Sequence, residues 1–230
     1  MIFRQLFDRE SWTYTYLLAC EKTRKAVLID SVSGHLDYYI QLLHELNLEL
    51  ILAVDTHTHA DHITAMGILR DRTGCATWVG EQSGADCASG TYQHGDRLYI
   101  GELVLEVRYT PGHTNDSYSF YLADQGYLFT GDTLLIRGSG RTDFQSGDAR
   151  MQYSSLMDQL LCLPGETVVY PGHDYRGWTR TSIAEELAHN PRLQVTDADA
   201  YVKIMNNLNL PNPKLMDVAV PANLSCGKLY

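Results

Sequence analysis

The run from Thr56 to His62 constrains this chain more than any other feature of its sequence. It reads Thr-His-Thr-His-Ala-Asp-His, so three imidazoles and one carboxylate fall within six residues. A hydrophobic core would not tolerate so many polar side chains without partners, whereas imidazole and carboxylate groups are common ligands of transition metals. The run therefore predicts a metal site.

Apolar segments on both sides place this run on a loop. Residues 48–54 are apolar at almost every position, which is typical of a buried strand, and residues 67–69 lie in an apolar helical stretch. Side chains alternate along extended chain, so His57 and His59 are expected to point the same way. Asp61 and His62 are expected to fold back toward the same point from the first turn of the helix. The loop would thus present several ligands together.

Three further segments each offer one candidate ligand. Each candidate follows an apolar, strand-like run and has a glycine directly before it. A loop that leaves a rigid strand holds a functional side chain in place. Any of the three alone would be an ordinary turn residue, but together with the first run they predict one site. These residues are His113, Asp132 and His173.

This order of residues resembles the metallo-β-lactamase superfamily, whose signature is His-x-His-x-Asp-His, then a lone His, a lone Asp and a last His. Residues 136–145, 190–193 and 216–224 are further similar to the persulfide dioxygenase (sulfur dioxygenase) branch of the superfamily, and the likeness covers almost the whole chain. The resemblance implies an α+β fold, the αββα sandwich of the metallo-β-lactamase type. Seven positions match the signature in order: His57, His59, Asp61, His62, His113, Asp132 and His173.

Length and composition agree with one catalytic domain over residues 1–230. The chain has 44% hydrophobic and 20% charged residues, which is ordinary for a globular protein. It contains no run of eighteen apolar residues and begins without a signal or transit pattern, so a soluble cytoplasmic protein is expected, or a mitochondrial matrix protein if the source is a eukaryote. The net charge of −10 disfavours a nucleic-acid surface. No membrane or nucleic-acid partner is expected.

The five cysteines predict reduced thiols. They are scattered, odd in number and contain no Cys-x-x-Cys pair, which disfavours a disulfide framework. Cys226 near the C-terminus is expected to be an inert structural cysteine.

Periodicity predicts alternating helices and strands. Helices are expected over residues 36–46, 151–161 and 179–189. A further helix is expected to open at a capping box at 196–199, to run through Tyr201, Val202 and Met205, and to be stopped by Pro211. Strands are expected over residues 25–29, 76–79, 98–107, 117–122 and 167–170.

Two metal arrangements are open. A two-histidine, one-carboxylate triad of His57, His113 and Asp132 suits a single Fe(II) with open positions for substrate and O₂, and the persulfide dioxygenases resemble this case. The remaining four residues would then orient the ligands. A dinuclear site would instead use all seven: His57, His59 and His113 on one ion, Asp61, His62 and His173 on the other, and Asp132 between them.

The resemblance implies oxidation of glutathione persulfide by O₂ and water to sulfite and glutathione, with one Fe(II) per chain and with a homodimer as the possible assembly. It also implies that Arg141, Tyr175 and Arg192 bind the glutathione moiety. Arginine suits this role because it can pair with a carboxylate through two hydrogen bonds.

Two alternatives remain. The first is a glyoxalase II-like hydroxyacylglutathione thioester hydrolase with a dinuclear metal site, which shares the seven-residue signature and the glutathione moiety. The second is a catalytically silent module that has kept the fold, which the intact ligand set disfavours.

Overall fold

The computed structural model describes residues 1–211 and 215–228. The chain groups into two compact units. The first contains residues 1–92, 97–105 and 215–228, and the second contains residues 93–96 and 106–211. A single catalytic domain over residues 1–230 therefore remains a prediction.

The strands of the described residues form two six-stranded sheets. The first sheet has the order β1-β2-β3-β4-β5-β6 and the second has the order β12-β11-β10-β9-β8-β7. The strands are β1 Ile2–Phe7, β2 Tyr14–Ala19, β3 Lys25–Ile29, β4 Glu49–Val54, β5 Ala76–Gly80, β6 Gly90–Tyr92, β7 Arg97–Ile100, β8 Leu103–Tyr109, β9 Tyr118–Leu122, β10 Tyr127–Phe129, β11 Val168–Tyr170 and β12 Thr181–Ser182.

Parallel pairing within the first sheet places the candidate ligand loop. Strands β3 and β4 are parallel, with Ile29 opposite Val54. Both strands are buried along most of their length because their side chains are almost all aliphatic. Their C-terminal ends therefore meet at one edge of the sheet, and the residues that follow them, Asp30 and Asp55, begin two neighbouring loops.

Six α-helices lie in the described residues. They are α1 Leu36–Glu45, α2 Met66–Thr73, α3 Ala149–Ser154, α4 Ile183–His189, α5 Ala198–Asn206 and α6 Met216–Leu224. In the first unit, Tyr39, Leu42 and Leu43 of α1 belong to the same buried cluster as Leu17 and Leu28 of the sheet. In the second unit, one cluster joins side chains of three strands and helices, among them Leu128, Val169, Ile183 and Tyr201. Each unit thus has its own hydrophobic core.

Several predicted boundaries were wrong for local physical reasons. The strand expected over 98–107 is two strands, because Gly101 turns the chain between them with φ of 64°. The helix expected over 179–189 begins only at Ile183, where the Ser182 hydroxyl accepts the backbone N–H of Glu185 and caps it. The last predicted helix, by contrast, is confirmed, since it is capped by Asp197 and ends at Asn206, before Pro211.

The helix expected over residues 151–161 changes its hydrogen-bond pattern midway. Residues Ala149–Ser154 are α-helical and Ser155–Leu160 form a π-helix. Ser155 donates its hydroxyl to the carbonyl of Pro111, 2.7 Å away. Such π-turns in helices are rare and frequently accompany functional loops, and Pro111 lies two residues before His113.

The prediction of reduced cysteines was wrong for one pair. Cys87 and Cys226 form a disulfide across 139 residues. Composition could not reveal this pairing, because the two residues meet only when the C-terminal segment returns to the first unit. Cys20, Cys75 and Cys162 are free.

None of the helices within residues 1–211 and 215–228 combines the length and apolar character that a transmembrane crossing requires.

Candidate metal centre

The ligand loop, residues 55–65, leaves β4 and ends at α2. Its first histidine, His57, is buried and held by its neighbour Thr56. The Thr56 hydroxyl donates its hydrogen to Oδ2 of Asp30 at 3.0 Å, so toward Nδ1 of His57, also 3.0 Å away, it acts as an acceptor. His57 therefore carries its proton on Nδ1, and Nε2 keeps the lone pair with which an imidazole binds a metal.

His59 is fixed by an acid from the neighbouring loop. Its Nε2 lies 3.1 Å from Oδ1 of Asp30, and both side chains are 1% exposed. Burial alone would lower the pKa of His59, but the charge of Asp30 and the hydrogen bond to it, with smaller contributions from Asp55 and Asp61, raise this pKa to about 9. In the metal-free protein this imidazole is therefore protonated at neutral pH.

His62 and Asp61 form a second pair on the same loop. Nδ1 of His62 lies 2.9 Å from Oδ2 of Asp61, which also accepts the hydroxyl of Thr13 at 2.9 Å. The expectation that both residues belong to the first turn of a helix was wrong, since α2 begins only at Met66. They are held by side-chain hydrogen bonds instead.

The loop brings its candidate ligands together, as expected. The ring centres of His57 and His59 are 4.2 Å apart, and those of His59 and His62 are 4.3 Å apart. His59, Asp61 and His62 each offer a ligand atom within 4.8 Å of the others. Nδ1 of His59 is buried and has no hydrogen-bond partner among the described residues, a cost that a bound metal or water would relieve. These residues fit a metal site.

In the second unit, His113 is oriented in the same way as His57. Its Nδ1 lies 2.7 Å from the backbone carbonyl of Arg141. A carbonyl only accepts, so Nδ1 carries the proton and Nε2 carries the lone pair. This Nε2 lies 3.6 Å from Oδ2 of Asp132, a spacing that permits both atoms to bind one ion.

His173 supports the carboxylate of Asp132. Its Nδ1 donates to Oδ1 of Asp132 at 2.6 Å, while Oδ2 faces His113. Gly172 makes this approach possible, because a Cβ at that position would lie 2.7 Å from Oδ1 of Asp132. The second unit therefore brings its three predicted metal-site residues together around the carboxylate of Asp132, which accepts a hydrogen bond from His173 and lies 3.6 Å from His113.

Gly140 is a second close approach in this group. A Cβ at position 140 would lie 2.3 Å from the carbonyl oxygen of Asp132 and 2.7 Å from Nδ1 of His113. The N–H of Gly140 also donates to that carbonyl at 2.6 Å. Only glycine permits the chain to pass here and present the Arg141 carbonyl to His113.

The two predicted substrate arginines have partners in the protein. Arg141 donates from Nε and Nη2 to the two carboxylate oxygens of Asp143, each at 2.6 Å, and from Nη1 to the carbonyl of Pro211. Arg192 donates to the carbonyl of Ser139, and burial lowers the pKa of its guanidinium. Tyr175 is 63% exposed, with its ring stacked 6.0 Å from that of His173.

Three residues that support the loop were not identified from the sequence. Asp30 directly follows the buried strand β3, just as the ligand loop follows β4, and this sequence pattern could have identified Asp30. Thr13 has no distinguishing pattern. Asn223 lies in a segment that carried the family resemblance, but its contact with the ligand loop, described below, depends on the fold.

Residues 91–173 match the model of the metallo-beta-lactamase superfamily. The chain is 47% identical over 230 residues to the mouse persulfide dioxygenase ETHE1, mitochondrial, covering 99% of this chain and 89% of the mouse protein.

The crystal structure of ETHE1 from Myxococcus xanthus is 55% identical, with a TM-score of 0.96 over 99% of this chain and 100% of that chain. A probable hydroxyacylglutathione hydrolase of Schizosaccharomyces pombe is 36% identical over 168 residues, which are 70% of this chain and 64% of that protein. The expected α+β fold of the metallo-β-lactamase type is confirmed, and the similarity to the hydrolase covers less of both chains.

Proposed function

The chain belongs to the persulfide dioxygenase family of the metallo-β-lactamase superfamily, and on this premise we propose that it uses a single iron to oxidise glutathione persulfide. The reaction consumes one persulfide, one O₂ and one water, and it yields sulfite, glutathione and two protons. Iron, when bound, supplies the activation of O₂ that no protein side chain can provide.

We assign the iron to His57, His113 and Asp132. The observation that carries this assignment is the shared tautomer of the two histidines. Each donates Nδ1–H to a protein acceptor and keeps a lone pair on Nε2. Two imidazoles and one carboxylate form the ligand set of many mononuclear iron oxygenases, and they leave positions open for sulfur and O₂.

The remaining residues of the signature orient these ligands. His173 donates to Asp132 and leaves the other carboxylate oxygen facing His113. Asp30 reaches both Thr56, which holds His57, and His59. Hydrogen bonds of this kind fix the direction of a ligand before the metal binds.

Glutathione recognition is proposed for Tyr175, Arg141 and Arg192. Support is strongest for Tyr175, which is exposed and lies beside His173. Arg141 would have to exchange Asp143 for a glutathione carboxylate, and Arg192 would act from its contact with Ser139. Loss of these side chains is expected to weaken substrate use more than metal binding.

We also propose that the protein forms a homodimer and has no nucleic-acid or membrane partner. The name of the mouse relative places that protein in mitochondria. For this chain we propose a location in the cytoplasm, or in the mitochondrial matrix if the source is a eukaryote.

An oxygen electrode with a sulfite assay tests the proposal on protein loaded with iron. Glutathione persulfide should drive O₂ uptake and sulfite release, whereas S-lactoylglutathione should be cleaved poorly or not at all. Metal analysis should give close to one iron per chain. Two zinc ions per chain with rapid thioester cleavage and no persulfide-dependent O₂ uptake would assign the chain to the hydrolases instead.

A further inference from the structure

The C-terminal end of α6 contacts the ligand loop through the side chain of Asn223. Its side chain is 5% exposed. Its Nδ2 donates to the carbonyls of His59 and His62, both at 2.9 Å, and its Oδ1 accepts the N–H of Thr64 at 2.9 Å. One side-chain amide therefore serves three backbone groups of the loop.

These three bonds fix the backbone that carries the candidate ligands. The loop has no helix or strand of its own between β4 and α2, so its buried carbonyls and N–H groups need other partners. An amide is suited to this because it offers two donors and an acceptor in one plane. A carboxylate in place of Asn223 would keep the acceptor but turn a second acceptor toward two carbonyl oxygens.

The same segment is bound covalently three residues further on. Cys226 is fully buried and forms the disulfide with the half-buried Cys87. The carbonyl of Cys226 also accepts the N–H of Gly67, the second residue of α2, at 3.0 Å. A Cβ at Gly67 would lie 2.4 Å from this carbonyl, and one at Gly227 would lie 2.0 Å from the carbonyl of Thr64. The segment passes so close to the start of α2 and to the ligand loop that positions 67 and 227 both require glycine.

We propose that residues 222–227 form a redox-dependent clamp on the ligand loop, in which Asn223 is the positioning residue and the Cys87–Cys226 disulfide holds it in place. Reduction frees the segment, loosens the loop and weakens metal retention. The inference rests on the proposed function in taking the loop to be part of the metal site and glutathione to be a product of the reaction. A disulfide in a reducing compartment is usually a transient or sensing element, which agrees with this role.

The reductant is a thiol, and the proposed reaction itself releases one as glutathione. A thiolate would attack Sγ of Cys87, the more accessible sulfur, with Cys226 leaving as a thiolate. A second thiolate would then resolve the mixed disulfide. Two glutathione molecules are oxidised to one glutathione disulfide, and the protein disulfide is reduced to two thiols. Accumulated product would thus open the clamp.

The test compares oxidised and reduced wild type with three variants. Cys87→Ser removes the disulfide, Asn223→Asp removes the amide donors, and Cys162→Ser, a free and exposed cysteine in the second unit, is the matched control. Hydrogen exchange of residues 59–64 in metal-free protein reports the clamp directly. Loss of iron to a competing chelator reports its consequence, and thermal unfolding shows that each variant is folded.

We expect reduced wild type and Cys87→Ser to exchange faster over residues 59–64 and to lose iron about 10- to 100-fold more readily. Glutathione and a phosphine reductant should both act on the wild type and on Cys162→Ser, and neither should act further on Cys87→Ser. Asn223→Asp should show fast exchange whether or not the disulfide is intact. If this variant does not fold, reduction of the wild type still decides the matter.

Unchanged exchange and unchanged iron retention after reduction would overturn the clamp, as would free thiols at both cysteines in protein purified in air. Faster exchange in a protein that binds no iron under any condition would support the clamp and refute the proposed iron centre. The two failures are therefore distinguishable.

Discussion

The two units supply candidate ligands in opposite ways. The ligand loop concentrates three histidines and an aspartate on one short segment, and side chains from Thr13 just before β2, from the loop after β3 and from the C-terminal segment hold it. The second unit scatters His113, Asp132 and His173 over 61 residues and holds them by backbone contacts at glycine. A clustered site depends on remote polar side chains, whereas a dispersed site depends on close approach of the main chain.

The largest expected effect tests whether both regions hold the same ion. His57→Ala and His113→Ala should each empty the iron site, because loss of a direct ligand removes much of the binding free energy. Metal analysis of the purified variants measures this. If one variant kept close to one iron per chain while the other lost it, the two regions would not share an ion.

The next effect tests the dependence of the second unit on glycine. Gly140→Ala should strongly reduce metal binding, because the new Cβ would lie 2.3 Å from the carbonyl oxygen of Asp132. Gly138→Ala is the matched control, since a Cβ there meets only the side chain of Leu135 at 3.9 Å. Chelator competition compares the two. Equal iron retention would show that the close approach is not needed.

A smaller effect is expected at the supporting histidines of the ligand loop. His59→Ala and His62→Ala should keep substantial iron and lose activity about 10- to 100-fold. Activity per bound iron is the quantity to measure. Metal loss as complete as in His57→Ala would make these residues ligands, and it would mean that the buried Nδ1 of His59 binds an ion.

The smallest effect concerns pH in the metal-free protein. The pKa of His59 is raised in the folded state to about 9, above the value of about 6.5 for an unfolded histidine. Its stabilising pairing with Asp30 is therefore complete below about pH 6.5 and is lost as the pH rises through about 9.

Thermal unfolding across this range should show a steeper fall in the melting temperature of wild type than of Asp30→Asn. Parallel curves for the two proteins would mean that the ion pair contributes nothing to the stability of the metal-free loop.

Sequence patterns were sufficient wherever the determining contacts are local. The apolar run before Thr56 gave strand β4, and the spacing of His57, His59 and His62 gave their clustering. The sequence places a glycine directly before His173, and the structure explains why: a Cβ at position 172 would lie too close to the carboxylate of Asp132.

Sequence patterns could not predict contacts between segments that are distant in the chain. Thr64 and Asn223 are separated by 159 residues, and the disulfide joins two cysteines that have no sequence motif. The contact that Arg192 makes in the fold shows the same limit. Its hydrogen bond to the carbonyl of Ser139 joins residues 53 positions apart, and no sequence pattern links the two. Periodicity also could not predict the π-helix, because apolar spacing indicates a helix over residues 151–161 without distinguishing its π-helical part from its α-helical part.

The discontinuous first unit has a consequence for the order in which the protein is made. The ligand loop is synthesised early, but Asn223, which fixes its backbone, follows Thr64 by 159 residues. At about 5–20 residues per second, the ribosome needs on the order of ten seconds or more to add them. During that interval the whole second unit is produced, and it can fold as a unit first. The nascent loop therefore exposes its histidines before Asn223 fixes its backbone, and a metal captured then would bind a loop whose conformation is less restricted than in the folded protein.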